Sequence, residues 1–227
     1  MNMKRMIAVL LVFLFFFTGC TAQTVKRDPA AADAVSAATQ ARYRENEITG
    51  YQGARLDPAV GPRDNSIKGI QQVDISSYRL TIGGLVEKQA SLTYEQVRAF
   101  DPYERLITLY CVEGWDATIL WKGVLLDELI AAAGAKKEAV TVIFGSADGY
   151  TTSLPLQTVR DKALILAYSA NGLDLPPAMG YPFIVVAEDK LGYKWGRWVN
   201  SITLSSDANY KGYWEQAGYD NNADIAP

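Results

Sequence analysis

The chain has 227 residues, 49% of them hydrophobic and 21% charged, with no histidine, two cysteines and a formal net charge of -3. That balance suits a soluble globular core, and the charge argues against a nucleic-acid partner, whose phosphates call for an excess of Lys and Arg on one face. Without histidine, Ser-His-Asp and Cys-His nucleophile systems and His-ligated zinc, copper or haem are excluded.

Residues 1–17 read as a secretory signal, with Lys4 and Arg5 as a positive start and an unbroken apolar run over 7–17. A spanning helix takes about 20 apolar residues, more than this run supplies. It ends in Phe17, Thr18, Gly19 and Cys20, which resembles a bacterial lipoprotein box whose cysteine takes the lipid; the alternative is an uncleaved membrane anchor. Both place the domain outside the cytoplasm and beside a membrane. Lipidation of Cys20 leaves Cys111 without a disulfide partner, and an oxidising compartment penalises a free reactive thiol. Cys111 is therefore either buried and inert or bonded to something, such as a metal.

Residues 21–47 are Ala-rich and polar and read as a tether, transiently helical over 30–41. The expected organisation is a signal peptide at 1–19, a flexible tether at 20–48 and one domain at 49–227. Gly50, Gly53, Pro58, Gly61 and Pro62 mark a looped approach to that domain, where Tyr51 and Arg55 either line a site or cover the core. Alternation over 75–82, followed by Gly83 and Gly84 and then Leu85 and Val86, predicts a β-hairpin. Thr93 with Gln96 is a capping-box pattern, flanked by Leu92 and Val97 at staple spacing, and predicts a short helix over 94–100. The β-formers at 106–110 lead into Cys111 and put its thiol where a strand gives way to a loop, a frequent place for sites.

Over 123–133, Val124, Leu125, Leu129 and Ile130 recur at helical spacing before Gly134, predicting a core helix with Asp127 and Glu128 on its wet face. Further strands are expected over 140–144, 150–154, 163–168, 183–187 and 198–204, with Asp148-Gly149 and Asn171-Gly172 as turns. Strands interrupted by short helices, rather than alternating with them, make the fold class α+β. There is no internal repeat, GxGxxG, Walker loop, CxxCH or paired-cysteine metal pattern.

Four stretches then come in a telling order. The first is Cys111-Val112-Glu113-Gly114-Trp115 with Trp121 and Gly123, the second Ser146-Ala147-Asp148-Gly149-Tyr150-Thr151-Thr152. The third is Gly192-Tyr193-Lys194-Trp195-Gly196-Arg197-Trp198, and the last is Gly212-Tyr213-Trp214-Glu215 with Gly218-Tyr219. Over about 77–219 the chain resembles the molybdopterin-dependent oxidoreductases of the sulfite oxidase family. The resemblance implies that family's fold, with mixed and antiparallel sheets and short helices, and a cofactor of molybdenum on one molybdopterin. It makes Cys111 the thiolate ligand of the metal, a soft donor suited to that centre; Glu113 and Trp115 are either substrate-side residues near the metal's open face or a rim acid and a core ring. Tyr193, Trp195, Gly196 and Arg197 match the pterin loop, whose backbone amides and basic side chain would hold the phosphate, with Lys194 as an added point charge. Ser146 matches a position that hydrogen-bonds the cofactor. On the residues alone, Lys194 and Arg197 would instead be solvated charges and Trp195 and Trp198 two faces of a strand.

The departures matter too. Ile184 stands where family members often carry an arginine, and a histidine near the cofactor cannot exist in this chain. Sulfite oxidases follow the cysteine with basic residues that attract an anion, whereas here Val112 and Glu113 follow it. The Cys-x-Glu-x-Trp form is closer to the periplasmic reductase branch, which acts on sulfoxide-like oxygen donors. The start of the chain has Lys4-Arg5 rather than the twin arginine that usually exports folded molybdoproteins.

The expectation is a lipid-anchored, extracytoplasmic oxidoreductase exchanging an oxygen atom with a small substrate, in the reductase direction. It would be a monomer, since the family's C-terminal dimerisation domain has no counterpart after Tyr219. Having no haem or iron-sulfur ligands, it would draw electrons from a separate partner. The alternative is a binding lipoprotein that keeps the fold without a loaded metal.

Overall fold

The structure, a computed structural model, describes residues 29–225, with side chains from residue 37 onward. The signal peptide, Cys20 and the start of the tether lie outside the described residues. In chain order the elements begin with α1 (Pro29–Arg44), β1 (Gly50–Tyr51), β2 (Ala54–Arg55), β3 (Leu80–Gly84), β4 (Ala90–Leu92) and α2 (Tyr94–Arg98). They continue with β5 (Pro102–Tyr110), β6 (Asp116–Leu125), α3 (Leu126–Ala133), β7 (Thr141–Ser146), β8 (Thr151–Pro155) and α4 (Leu156–Asp161). The chain closes with β9 (Ile165–Ala170), β10 (Leu173–Asp174), β11 (Ile184–Val186), β12 (Val199–Ser205) and α5 (Tyr213–Gln216).

Two five-stranded sheets carry the fold, as the α+β reading with mixed and antiparallel sheets expects. One runs β10-β9-β6-β5, with β11 also on β9, and all its pairs are antiparallel. The other runs β4-β3-β12-β7-β8 and is mixed, because β12 lies parallel to β3. Apolar residues of both sheets, among them Ile82, Ile119, Trp121, Phe144 and Val185, form one buried cluster. Helix α3 closes it with Leu126, Leu129, Ile130 and Ala133 and ends at Gly134 in the left-handed region, as the spacing predicts.

Four expectations change. The predicted helix over 123–133 starts at Leu126, because Gly123, Val124 and Leu125 finish β6, opposite Ala167, Leu166 and Ile165 of β9. Gly123 is needed there, since a Cβ would lie 2.1 Å from the Leu166 carbonyl oxygen. The expected hairpin forms from antiparallel β3 and β4, but its turn lies over 85–89 and not at Gly83-Gly84, because β3 continues through both glycines to pair with Thr203 and Leu204 of β12. Ala163 and Trp198 have φ of +47° and +52° and belong to turns beside β9 and β12 rather than to the strands.

The fourth change concerns the tether, whose end is part of the domain. Gln40 Nε2 donates to Val60 O at 2.8 Å and the Tyr43 hydroxyl to Ala170 O at 2.9 Å. Glu47 is buried, and its Oε2 accepts the Ala59 N–H at 3.1 Å and the Asn171 amide at 2.8 Å. Together the bonds of Gln40, Tyr43 and Glu47 tie the chain to the domain from about residue 40, before the expected start at 49. By contrast the capping box at Thr93 forms as predicted: Gln96 N–H donates to Thr93 Oγ1 at 3.1 Å and Thr93 N–H to Gln96 Oε1 at 2.8 Å.

Candidate functional site

The β5–β6 hairpin keeps register through nine pairs, from Pro102 opposite Val124 to Tyr110 opposite Asp116. Its turn holds Cys111: the Cys111 N–H donates to Trp115 O at 2.9 Å and the Gly114 N–H to Cys111 O at 3.1 Å. Gly114, at φ +84°, lets the turn close. The thiol thus stands where β5 ends, and it opens on a cavity of about 570 Å³, within the ~300–1,000 Å³ typical of small-molecule sites.

Around the sulfur are groups from a loop that sequence reading passed over. Asn65 Nδ2 lies 3.8 Å from Cys111 Sγ and donates to Glu113 Oε2 at 3.1 Å. Glu113 Oε2 also accepts from Trp115 Nε1 at 3.4 Å, and Arg63 Nη1 is 3.7 Å from Glu113 Oε1. Partial burial pushes the Cys111 thiol up, the Glu113 carboxylate adds to this, and nearby backbone N–H groups oppose it. Trp115 packs so closely on the 61–67 loop that a Cβ at Gly61 would lie 2.7 Å from its ring. The one local signal for this loop is Asp64-Asn65-Ser66, which folds as an Asx turn: Ser66 N–H and hydroxyl donate to Asp64 at 3.0 and 2.9 Å.

The opposite wall joins the β7–β8 turn to residues 191–198. Ser146 lines the cavity and is buried, yet its Oγ has no hydrogen-bond partner among the described residues. Arg197 lines it as well, donating to Asp64 Oδ1 at 3.1 Å and Ala178 O at 2.9 Å, with its guanidinium 4.4 Å from the Trp198 ring centre. Tyr193 and Trp195 contribute ring faces, because their own donors turn elsewhere. The Tyr193 hydroxyl goes to Asp220 O at 2.8 Å and the Trp195 indole N–H to Lys190 O at 2.9 Å. The Trp195 backbone N–H is also taken, by Gly192 O at 3.1 Å, so of the expected backbone grip this amide is spent. Gly196 sits behind Ser146, its added Cβ 3.7 Å from Ser146 Oγ.

Of the predicted site residues, Cys111, Glu113, Trp115, Ser146, Tyr193, Trp195 and Arg197 meet around this one cavity. Lys194 does not. Expected as a point charge beside the phosphate, it is fully buried behind the wall, 2.5 Å from Glu215 Oε1. Burial pulls its ammonium below the ordinary value and Glu215 opposes this. Tyr51 and Arg55 sit on the small β1–β2 hairpin away from the cavity. Ile184 does face it, so the exchange of a base for an apolar chain falls on the wall itself. Trp214 and Tyr219 complete the lining, 5.2 Å apart, with Tyr219 also 5.3 Å from Tyr193; their stretch was noted in the sequence but not as site residues.

Among the described residues no group of three His, Cys, Asp or Glu could hold a metal ion. A metal at Cys111 would therefore need a cofactor that brings most of its ligands. The wall opposite the thiol fits such a group: a buried hydroxyl without a partner, an arginine and aromatic faces.

The comparisons with known proteins agree with that geometry. The family model described as the oxidoreductase molybdopterin binding domain matches residues 67–214. An uncharacterized oxidoreductase, YuiH, of Bacillus subtilis is 34% identical over 152 residues, covering 66% of this chain and 76% of that one. A putative protein-methionine-sulfoxide reductase subunit, YedZ1, of Azospira oryzae is 32% identical over 151 residues, covering 66% of this chain and 57% of the relative. Human mitochondrial sulfite oxidase is 26% identical over 180 residues, of which the chain spans 33% of the relative's length. Among solved structures, the sulfane dehydrogenase SoxCD from Paracoccus pantotrophus superposes with a TM-score of 0.64 at 25% identity, covering 72% of this chain and 46% of that one. The chain belongs to the molybdopterin-binding oxidoreductase family, and its cofactor is molybdopterin carrying molybdenum.

Proposed function

We propose that this protein is an extracytoplasmic, lipid-anchored reductase that removes an oxygen atom from a small neutral substrate of the sulfoxide type. When bound, the molybdenum cofactor supplies two-electron oxygen exchange. Cys111 would hold the metal, Ser146 and Arg197 the pterin and its phosphate, and Tyr193, Trp195 and Trp214 the flat faces against it. The observation that carries the direction is the acid beside the thiol. Glu113, with Asn65 on one oxygen and Arg63 on the other, stands where an anion-attracting base would favour sulfite. Ile184 removes another positive charge from the same cavity. A relative named as a subunit of a putative methionine-sulfoxide reductase supports the reading.

In the overall reaction a sulfoxide takes two electrons and two protons and yields a thioether and water. The electrons would come from a separate partner, and Asn65 and Glu113 would orient the oxygen leaving the substrate. Lipidation at Cys20 and the position outside the cytoplasm are parts of the same proposal, resting on residues 1–20.

The test starts with protein made in a molybdopterin-competent host. Wild type should hold molybdenum and reduce a dialkyl sulfoxide with a reduced viologen dye, while Cys111→Ala, which loses the one protein ligand and keeps those of the pterin, is inactive. Sulfite oxidation faster than sulfoxide reduction would overturn the direction. Wild type without molybdenum would favour the alternative of a binding lipoprotein. Intact mass of membrane-extracted protein should show a diacylglycerol-sized addition at Cys20; an unmodified Cys20 would sink the anchor.

A further inference from the structure

Behind the wall opposite the thiol lies a buried ion pair that touches no part of the cavity. Lys194 and Glu215 have side-chain exposures of 0% and 0%, and Lys194 Nζ also donates to Ser153 O at 3.2 Å and Asn221 Oδ1 at 3.1 Å. Glu215 Oε1 accepts the Thr152 hydroxyl at 3.0 Å as well. Three separate stretches therefore converge on two charges: strand β8, the 191–197 loop and the C-terminal segment 212–225. Each of these stretches, or the residue next to it, supplies the cavity with a ring: Tyr150 just before β8, Tyr193 and Trp195 from the loop, Trp214 and Tyr219 from the C-terminal segment.

Other bonds follow the same seam. The Tyr150 hydroxyl donates to Tyr193 O, the Tyr193 hydroxyl to Asp220 O, and the Leu191 N–H to Ala223 O. A Cβ at Gly212 would lie 2.2 Å from Thr151 O, so the C-terminal segment is pressed directly on β8. As a source of stability, two buried charges are a poor choice, because well-packed apolar side chains of similar volume serve as well or better. What the pair adds over apolar packing is directed bonds between segments whose backbones meet at no more than an isolated bridge among the described residues, Lys190 opposite Asp224.

We propose that Lys194 and Glu215 are a positioning pair, which fixes the C-terminal segment as the outer wall of the molybdopterin cavity. The proposal rests on the cofactor assigned above and gives Lys194 a different part from a phosphate contact. It predicts that wall order and cofactor retention depend on the pair beyond their dependence on stability. The deciding variant is Lys194→Met/Glu215→Leu, which removes both charges and keeps the volume, measured beside wild type from the same host.

Amide exchange of the cofactor-free proteins should be roughly tenfold faster over 212–225 in the double variant and unchanged over 102–125. Its molybdopterin content should fall roughly tenfold, the size of effect seen when groups behind a ligand shell are removed. Wild-type exchange over 212–225 with wild-type cofactor content overturns the proposal, as does loss of protection everywhere at once. If the double variant fails to fold, Glu215→Gln, which keeps the shape and an acceptor for Thr152, is judged by the same local-against-global criterion. A wild-type chain that carries no molybdopterin would count against the cofactor assignment, while exchange over 212–225 would still decide the pair.

Discussion

The two walls of the cavity are built by different means. The thiol side is a backbone construction: nine ladder pairs set where β5 stops, and the turn bonds of Cys111 and Trp115 place the sulfur. The side chains over it are wet, with Val112 50% exposed and the Arg63 side chain 62% exposed in its pairing with Glu113. The facing wall takes Ser146 and Ile184 from strand ends and is otherwise assembled from loops by side chains, Lys194 with Glu215 and tyrosine hydroxyls on carbonyls, while Arg197 with Asp64 ties it to the thiol-side loop. A ladder fixes a single ligand atom at low cost, whereas a broad flat cofactor takes surfaces from several segments, which only long-range bonds can align. The first wall should therefore answer mainly to changes in sheet packing and the second to changes in buried polar groups.

The largest effect expected is on the second wall. Lys194→Met leaves Glu215 buried and unpaired, a change that costs about 3–5 kcal/mol. For a chain of this length that lowers the melting temperature by about 10 °C, readable by calorimetry. Arg63→Ala on the thiol wall removes an exposed pairing and should cost about 0–1 kcal/mol. Equal losses for the two variants would erase the distinction between the walls.

Gly123→Ala attacks the thiol side through its sheet. The new methyl would meet Leu166 O at 2.1 Å and Ala167 Cα at 2.5 Å, both backbone, so the β6–β9 pairing must open. The cost should be about 3 kcal/mol, seen as a lower denaturant midpoint, with exchange rising over 102–125 rather than over 212–225 alone.

Alkali should separate the walls by titration. Burial pushes the hydroxyls of Tyr78 and Tyr150 well above the ordinary 10.0, and burial together with Asp220 pushes Tyr193 up to about 12. Folded tyrosines then keep protons that the unfolded chain loses, so the folded state binds more protons and stability falls as pH rises. The stability is fully present below 10.0 and is lost progressively above it. Tyr150 and Tyr193 belong to the second wall, so protection over 212–225 should fall first, and Tyr150→Phe should make the decline shallower. A flat profile above 10.0 would contradict this account.

Legibility in the sequence followed the same division. The capping box at Thr93 and the approach of β5 to Cys111 are local patterns, and both appear as read. Strand β6 was hidden because Val124, Leu125, Leu129 and Ile130 keep helical spacing straight across a strand-to-helix junction; only pairing with β9 fixes the boundary at Leu126. The motif located the 192–198 loop but not the direction of Lys194, which is set by a carboxylate 21 positions away. Asn65 reaches the thiol from 46 positions before it, and nothing near Cys111 in sequence announces that contact.

Ser146 tests the comparison where stability and binding part company. It lies on the wall held by buried polar bonds, but its own Oγ, buried and without a partner among the described residues, contributes nothing to that wall. A buried hydroxyl left unsatisfied is unfavourable, so Ser146→Ala should leave the cofactor-free protein within about 0.5 kcal/mol of wild type or slightly more stable. The cofactor would supply the missing partner, and its retention should then fall roughly tenfold, about 1.4 kcal/mol, the worth of one hydrogen bond. Melting the cofactor-free pair and assaying pterin and molybdenum in the loaded pair reads both signs. A variant less stable without cofactor, yet equally loaded, would mean that Ser146 serves the fold and not the group the cavity holds.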